Sequence, residues 1–329
     1  MIQSKCPACN STEKFVSIIS INPNQAAEHF LGFSDSYKRD VLRDHIRKLW
    51  KTDECKIIKC LRCQSRFAQP HIAGDANFYN LVESKPIYPS SRWEFNITRP
   101  IAFEILREGG RLLEIGSGSG NFVKELLELG LNPNRVAVTE FSSHAINALR
   151  LLGVQVEALD FREGIPGGPF KVVALFQTLE HLDNLESVLS SLNKLTTSGS
   201  HVFVSVPNIE YLEWAESTLN GIDMPPNHIT GFSSEGLATL FSRNNWVIQS
   251  IMLHTRNSII ERCKFGAMRG LQYPRNRLQR LLNKILKLES NGVGQKRLYI
   301  LAAITILTDW TLLTRVPPEN ILIHVKRNS

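Results

Sequence analysis

The segment LLEIGSGSGNF constrains the fold of this chain more than any other part of the sequence. Its glycines, Gly116, Gly118 and Gly120, follow an apolar run and precede an amphipathic one, which predicts a strand, a tight loop and a helix. Glycine lets the backbone turn sharply and lets a ligand approach closely, because it has no Cβ atom. Asn121 stands where the G-x-G-x-x-G fingerprint of dinucleotide-binding loops requires its third glycine, so the sequence disfavours that ligand class.

Strand and helix patterns then alternate over about a hundred residues, as in parallel α/β sheets. The predicted strands are RLLEI, RVAVTEF, VQVEALDF, FKVVALFQ and SHVFVSVPN, and the predicted helices are GNFVKELLELG, SSHAINALRLLG and NLESVLSSLNKL. This order is typical of a doubly wound, mostly parallel sheet. Ligands of such sheets bind beyond the carboxyl ends of the strands, so the residues there are the candidates for function.

Three of the predicted strands end in an acidic residue: Glu114, Glu140 and Asp160. Glu114 lies two residues before the first glycine of the loop. A carboxylate so close to the loop repels a pyrophosphate and attracts a cationic ligand. The three acids are more specific than the glycines alone, although each taken singly is also compatible with a helix cap or a surface charge.

Together these features resemble the first motif and the following strands of class I S-adenosylmethionine-dependent methyltransferases. The resemblance implies a seven-stranded sheet and S-adenosylmethionine as the cofactor. In the family, the acid matched by Glu140 accepts hydrogen bonds from the ribose hydroxyls, since one carboxylate accepts from two adjacent O–H groups. Asp160 matches the acid that faces the adenine amino group, with Phe161 beside it. The cofactor site implied by the resemblance consists of Glu114, Gly116, Gly118, Gly120, Glu140, Asp160, Phe161 and Gln177.

The resemblance extends to two histidine-containing segments, LFQTLEHLDN and MPPNHITGF, which are similar to those of ubiquinone-type and sugar methyltransferases. A hydroxyl acceptor must lose a proton, and histidine has a pKa near working pH. His181 and His228 are therefore the candidate general bases, and Glu180 and Asn227 are predicted to line the acceptor site. Relatives that methylate a sugar carbon have glutamate at the position of Asn227, so oxygen or nitrogen is the expected acceptor atom.

The front of the chain carries two Cys-x-x-Cys pairs, Cys6 with Cys9 and Cys60 with Cys63. Their spacing suits a tetrahedral structural zinc site. Two alternatives remain open: reduced cysteines packed as small apolar side chains, and a redox pair. The segment SYKRDVLRDHIRKLW between the pairs predicts an amphipathic helix. Its predicted apolar face consists of Val41, Leu42, His45, Ile46 and Leu49.

These patterns divide the chain into a zinc-binding domain at residues 1–70 and a methyltransferase domain at residues 71–329. A zinc-binding region in front of the glycine motif resembles bacterial methyltransferases that act on nucleotide-linked sugars. Tyr79 and Tyr88 lie in the segment that joins the two parts, and aromatic faces suit the C–H faces of sugars. We expect both tyrosines to bind the acceptor; the alternative is an apolar seam between the domains.

The end of the chain is basic, because residues 256–329 carry 14 Lys and Arg against 4 Asp and Glu. The pattern predicts a helical insertion at 256–316 and a last strand at 320–327. A basic surface can attract phosphate groups of a substrate, of nucleic acid or of a membrane surface, or it can be a solvated helix face. Nucleic acid is disfavoured, because aromatic residues are not interleaved with the charges as stacking requires.

The sequence contains no segment with the composition of a membrane span, although peripheral membrane contact remains open. No secretory signal is evident and the cysteines suit a reducing compartment, so we expect a cytoplasmic protein. The function predicted from the resemblance is methyl transfer to a small polar acceptor, best a nucleotide-linked or glycan sugar. The rival hypotheses are a nucleic-acid-binding or modifying protein and a non-catalytic scaffold.

Overall fold

The computed structural model describes residues 5–31, 36–82, 91–219, 224–255 and 317–328. Tyr88 and the insertion predicted at 256–316 lie outside the described residues, and those predictions stay as they are. In the first part of the chain the elements are β1 (Phe15–Ile21), α1 (Pro23–Leu31), α2 (Ser36–Trp50), β2 (Cys55–Cys60), β3 (Arg66–Gln69) and α3 (Ala76–Val82).

The middle of the chain alternates helix and strand, as the sequence predicts. Its elements are α4 (Trp93–Arg107), β4 (Leu112–Ile115), α5 (Asn121–Glu128), β5 (Val136–Thr139), α6 (Ser143–Arg150), β6 (Gln155–Glu157), β7 (Phe170–Phe176), α7 (Leu185–Leu195) and β8 (Thr196–Pro207). The remaining elements are α8 (Ile209–Leu219), β9 (Thr230–Gly231), α9 (Ser234–Ser242), β10 (Trp246–His254) and β11 (Asn320–Arg327).

Within the described residues, seven of these strands form one sheet in the order β10-β11-β8-β7-β4-β5-β6. The pairs β4–β5, β4–β7, β5–β6 and β7–β8 are parallel, which confirms the predicted doubly wound α/β sheet. The chain runs from β4 outward to β6 and then returns to the other side of β4 with β7. Strand order therefore reverses at β4, and such a reversal creates the crevice in which α/β proteins bind ligands.

The core of this sheet is apolar on both faces, as parallel sheets require when helices cover them. Every residue of β4 and β5 is buried, and so is all of β7 except Lys171. One face packs on α4 and α5, where Phe95, Phe122 and Phe176 lie with ring centroids 4.8–5.4 Å apart. This packing holds the carboxyl end of β4, and thus the glycine loop, in a fixed place.

A second sheet lies at the front of the chain, and in the described residues it has the order β1-β2-β3-β9. All its pairings are antiparallel. Its last strand, β9, comes from a distant part of the sequence and pairs Thr230 with Phe67 and Gly231 with Arg66. The cysteine-rich front of the chain is thereby joined to the segment that carries His228.

The helix predicted between the cysteine pairs is α2, but its buried face differs from the predicted one. Leu42, Ile46 and Trp50 are buried, whereas Val41 is 38% exposed. The observed face follows the i, i+4, i+8 spacing, and Trp50 supplies its largest apolar surface. The predicted face was centred too close to Val41 and missed Trp50.

The chain divides into two compact units. One comprises residues 1–207, 224–252 and 321–329, and contains both sheets. The other comprises residues 208–223 and 253–320; within it, the backbone N–H of Asn208 donates to the Glu319 carbonyl at 2.8 Å and Asn208 Nδ2 donates to the Pro318 carbonyl at 2.9 Å. No helix in the described part of the chain has the length and apolar character that crossing a membrane requires.

Candidate functional site

The glycine loop follows β4 and has its three glycines in the left-handed region, with φ of +70° at Gly116, +54° at Gly118 and +76° at Gly120. A Cβ atom on Gly116 would lie 2.6 Å from Thr178 Oγ1, so the loop closes on the residue that follows β7. The backbone N–H groups of Gly116 and Ser117 donate to the Thr139 carbonyl at 3.0 and 3.1 Å. The loop is therefore tied to the ends of both neighbouring strands.

Glu114 is buried directly beneath this loop, with 2% of its surface exposed. Among the described residues its Oε2 atom has no hydrogen-bond partner. Burial raises the pKa of Glu114 to about 8; the positive charge of Arg92 opposes this rise and the negative charge of Glu140 adds to it. A buried carboxyl group with an unsatisfied oxygen is costly, and such groups are typical of ligand sites.

Glu140 follows β5 and turns its carboxylate onto the glycine loop. Its Oε2 accepts the backbone N–H of Gly118 at 2.7 Å. Its Oε1 accepts the backbone N–H groups of Phe141 and Ser142 at 2.8 and 2.9 Å, at the start of α6. Glu140 thus fixes the loop and the helix relative to each other, and its Oε2 atom can still accept a further O–H donor.

Asp160 follows β6 and is bound by a neighbour that the sequence analysis did not weigh. Arg162 Nε lies 2.8 Å from Asp160 Oδ2, and Arg162 Nη1 lies 2.9 Å from Asp183 Oδ1. Burial acts to raise the pKa of Asp160, but the Arg162 hydrogen bonds outweigh it and the pKa is lowered. The neighbouring Phe161 ring is 2% exposed and packs in the apolar core. The cofactor roles of both residues stay predictions.

Gln177 follows β7 in the left-handed region, with φ of +52°. Its backbone N–H donates to the Ser205 carbonyl at 2.8 Å and its Nε2 donates to Ser205 Oγ at 3.3 Å, which links the ends of β7 and β8. Non-glycine residues in this conformation concentrate at functional sites, where the surrounding structure holds the strain. The geometry is compatible with the cofactor contact predicted for Gln177.

A second cluster lies a few residues further along the chain, in the short 3-10 turn Leu179–His181. One potential ligand atom from each of Glu180, His181 and His228 lies within 4.8 Å of the other two. The imidazole rings of His181 and His228 have their centroids 4.4 Å apart, at an interplanar angle of 71°. The structure thus brings together both candidate bases and a carboxylate that is only 1% exposed.

Tyr79 and Asn227, the other predicted acceptor residues, adjoin the same cluster. The Asn227 carbonyl lies 2.9 Å from His181 Nδ1, and the Tyr79 hydroxyl lies 3.4 Å from the same nitrogen. Burial raises the pKa of Tyr79, and the charge of Glu180 raises it further. The predicted acceptor residues Tyr79, Glu180 and Asn227 therefore meet at one place, next to the histidines.

The segment that carries His228 is fixed by backbone hydrogen bonds on both sides. The Ile229 N–H donates to the Glu180 carbonyl at 2.9 Å, and the Ala68 N–H donates to the Ile229 carbonyl at 2.8 Å. The Gly74 N–H donates to the Pro226 carbonyl at 2.9 Å. The position of His228 is thus set jointly by β3, by the residues before α3 and by the 3-10 turn.

The four paired cysteines also come together. The Sγ atoms of Cys6 and Cys63 are 3.7 Å apart, and so are those of Cys9 and Cys60. All four thiols are buried, and their sulfurs lie within 4.8 Å of one another. Zinc–sulfur bonds of about 2.3 Å in a tetrahedron place the sulfurs about 3.8 Å apart, so the cluster has the size of a zinc site.

The two knuckles have the same backbone geometry. Asn10 and Gln64, each directly after the second cysteine of a pair, both have φ of +61°. Their N–H groups donate to the carbonyls of Cys6 and Cys60 at 2.9 and 2.8 Å. The hydrogen bond from Cys6 lowers the pKa of Cys63 to about 5, whereas that same contact and burial raise the pKa of Cys6.

Cys55 does not belong to the cluster. It lies at the other end of β2 from Cys60, opposite Ile21, and burial raises the pKa of its thiol to about 12. The described cysteines are all thiols, and none is in a disulfide. Cys55 is therefore a buried apolar side chain and not a substitute ligand.

Three residues of the site were missed by the sequence analysis: Arg92, Thr178 and Arg162. Arg92 precedes α4, lies 3.7 Å from Glu94 and acts on the charge of Glu114. Thr178 occupies the space that a side chain at Gly116 would need, and Arg162 binds Asp160. No sequence pattern predicts the roles of Arg92 and Arg162. Thr178 could have been proposed as a site residue, because it lies near the carboxyl end of a predicted strand.

The part of the chain that carries the glycine loop and the histidine cluster is similar to known proteins. The family model described as a methyltransferase domain matches residues 92–251. A bifunctional methionine biosynthesis protein of Rhodopirellula baltica is 26% identical over 139 residues, which cover 40% of this chain and 22% of that protein. A ubiquinone biosynthesis O-methyltransferase of Pectobacterium carotovorum is 24% identical over 187 residues, covering 45% of this chain and 77% of that protein.

Solved structures show similarity over a larger part of the chain. A methyltransferase from Archaeoglobus fulgidus that depends on S-adenosylmethionine is 17% identical, with a TM-score of 0.42, and covers 72% of this chain and 100% of that one. One from Mesorhizobium loti is 13% identical, with a TM-score of 0.41, and covers 69% and 96%.

Proposed function

We propose that this chain, whose residues 92–251 match the methyltransferase-domain model, is a class I S-adenosylmethionine-dependent methyltransferase and transfers a methyl group from S-adenosylmethionine to a small polar acceptor. The observation that carries the proposal is the buried Glu114 carboxyl beneath the glycine loop, with one oxygen that lacks a partner among the described residues. A carboxyl group in this position suits a ligand that carries an ammonium and a sulfonium charge.

The residues around the loop fit this cofactor. Besides Glu114 Oε2, the Ser117 and Ser142 hydroxyls are buried with no partner in the part of the chain that the structure describes. Buried polar atoms without partners are rare in folded proteins and call for an explanation such as a ligand. Glu140 would accept the ribose hydroxyls, and Asp160, Phe161 and Gln177 would complete the site. The cofactor supplies an electrophilic methyl group, and the protein's contribution is to hold the acceptor in line with it.

The acceptor site is assigned to the cluster of Tyr79, Glu180, His181, Asn227 and His228. Its polar groups suit a hydroxylated acceptor, and the Tyr79 ring offers an aromatic face to a sugar. A nucleotide-linked or glycan sugar is the proposed acceptor class. The relative named as an O-methyltransferase and the presence of Asn227 favour oxygen or nitrogen over carbon as the methylated atom.

The acceptor must lose its proton as the new bond forms, and we assign that step to the two histidines. His181 is oriented by the Asn227 carbonyl, and the His228 ring packs on it. A neutral imidazole can take the proton at working pH, so His228 is the proposed base and His181 its neighbour in the site.

The four cysteines are proposed to hold a structural zinc ion. Four buried thiols at the separation of a zinc tetrahedron suit this ion, which binds them as thiolates. The ion would fix the two knuckles and, through β3 and β9, the segment next to His228. Such a site, without disulfides, goes with a reducing compartment such as the cytoplasm.

Calorimetric titration with S-adenosylhomocysteine, the product of methyl transfer, tests the cofactor assignment. We expect saturable binding that weakens at least tenfold in Glu140→Ala, since charge-assisted hydrogen bonds contribute about 1.5–3 kcal/mol. Glu128→Ala, at an exposed position of α5, is the matched control and should bind as the wild type does. Thermal unfolding of the wild type and both variants shows whether Glu140→Ala, which also loses the hydrogen bonds at the start of α6, remains folded. A folded wild type that does not bind would refute the proposal.

A further inference from the structure

The side chains of Glu180, His181 and His228 are of the types that bind metal ions, as well as types that act as general bases. Within the described residues, only this cluster and the four cysteines gather three or more metal-ligating side chains. We propose that Glu180, His181 and His228 bind a divalent metal ion that coordinates the acceptor. The inference deepens the proposed function and rests on it for its chemistry, although metal binding itself does not depend on methyl transfer.

The distances suit a single ion. One ligand atom of each residue lies within 4.8 Å of the others, and divalent ions bind imidazole nitrogen and carboxylate oxygen at about 2.0–2.2 Å. Two histidines with one carboxylate form the facial arrangement that leaves coordination positions open for further ligands.

The hydrogen bond of His181 supports the ligand role independently. A carbonyl oxygen can only accept, so the 2.9 Å contact between His181 Nδ1 and the Asn227 carbonyl places the proton on Nδ1. Nε2 then carries the lone pair that a metal needs. Metal-binding histidines almost always donate their other ring N–H to a carbonyl or a carboxylate, which fixes the tautomer and the ring orientation.

The surroundings also favour a cation. Glu180 is only 1% exposed. A divalent ion offsets the cost of keeping a carboxylate at this depth. The Ile229 N–H bond to the Glu180 carbonyl holds the two ligand-bearing segments together, so the site is preorganised before any ion binds.

The open positions would take oxygen atoms of the acceptor. A vicinal diol, as found in sugars, offers two adjacent oxygens to one ion, and this is the acceptor class that the site fits. The ion lowers the pKa of the bound hydroxyl, whose proton leaves to solvent. The oxygen lone pair then forms the new O–CH3 bond while the S–CH3 bond breaks and its electron pair goes to sulfur. With the ion bound, His228 acts as a ligand and the ion causes the deprotonation, so the inference replaces the role of His228 as the base and keeps methyl transfer to the same acceptor.

Titration of the full chain, purified without chelator, with Mn2+ tests the proposal. Mn2+ prefers nitrogen and oxygen ligands whereas thiolates select softer ions, so the probe reports on the triad and not on the cysteines. Paramagnetic resonance of unbound Mn2+ should show one equivalent bound by the wild type. We expect at least tenfold weaker binding in the isosteric Glu180→Gln and in His228→Ala. His29→Ala, at an exposed histidine of α1, is the matched control and should bind as the wild type does.

Circular dichroism and titration with S-adenosylhomocysteine show that each variant is folded. Equal Mn2+ binding by wild type and His228→Ala would overturn the inference. So would a wild type that binds no Mn2+ and contains no more Zn2+ than His228→Ala. Absence of S-adenosylhomocysteine binding in the folded wild type would instead refute the proposed function, and the Mn2+ titration would still decide whether the cluster binds a metal ion. If a chelator abolishes activity and Mn2+ restores it, the acceptor is deprotonated through the ion and not by an imidazole base.

Discussion

We expect Glu114 to couple the pH dependence of stability to cofactor binding. Because the folded protein keeps its carboxyl protonated up to a pKa of about 8, it binds more protons than the unfolded chain between about pH 4.5 and 8. This residue therefore makes the ligand-free protein less stable as pH rises through that window. Glu114→Gln should remove the loss, leaving the variant roughly 2–4 kcal/mol more stable than wild type near pH 8. Chemical denaturation at a series of pH values measures the difference.

The same substitution should weaken binding of S-adenosylmethionine. The cationic cofactor favours the ionised carboxylate, so wild-type affinity should increase with pH up to about 8 and binding should release a proton. Glu114→Gln should bind more weakly and without that pH dependence. Calorimetry in buffers of different ionisation enthalpy counts the released protons. Identical pH profiles for wild type and variant would show that Glu114 does not face the cofactor.

At this scale the sequence was a good guide to residues at strand ends. Glu114 and Glu140 lie at the glycine loop as expected, because parallel strands bring their carboxyl ends to one edge. The partners of such residues were not predictable. Arg162 binds Asp160 from two residues away and Arg92 acts on Glu114 from another element, and neither contact follows from a local pattern.

Among the elements, the glycine loop makes the sharpest prediction through its contact with Thr178. Gly116→Ala adds a Cβ atom 2.6 Å from Thr178 Oγ1 at φ +70°, so it combines a clash with backbone strain. Strain alone costs about 1–2 kcal/mol. We expect a larger loss of stability than that, together with loss of S-adenosylhomocysteine binding, in thermal and calorimetric measurements.

Gly130→Ala is the control for the strain, because Gly130 has φ of +98° and a Cβ atom added there would meet nothing within 4 Å among the described residues. It should lose about 1–2 kcal/mol and keep its affinity. The double variant Gly116→Ala with Thr178→Ala should regain part of the stability. Equal losses in the two single glycine variants would show that Thr178 does not restrict the loop.

Elements with a strong period were predictable and those made by distant contacts were not. β4, β5, β7 and β8 were each expected from apolar runs, since a doubly covered sheet needs them. The short strand β9 was not, because it exists only through its pairing with β3. The face of α2 was misplaced for a similar reason: burial of Trp50 is set by what packs on it, not by the helical period alone.

For the molecule as a whole, the cysteine cluster and the proposed acceptor site are structurally linked. β2 and β3 flank the second cysteine pair, and β3 pairs with β9 next to His228. The residues proposed to bind the cofactor, Glu114 and Glu140, lie instead in β4 and directly after β5 of the seven-stranded sheet. A disturbance of the cysteine cluster should therefore reach the acceptor side of the site before it reaches the cofactor side.

Cys60→Ser tests this link. The chain purified without chelator should contain one zinc ion that the variant lacks, and unfolding should require less heat, because a structural ion stabilises the folded state directly. S-adenosylhomocysteine affinity should change less than about threefold, whereas the KM for the acceptor should rise at least tenfold. Cys55→Ser, which changes a buried cysteine outside the cluster, should keep its zinc and its KM. A zinc-free Cys60→Ser with unchanged acceptor kinetics would show that the metal does not set the position of His228.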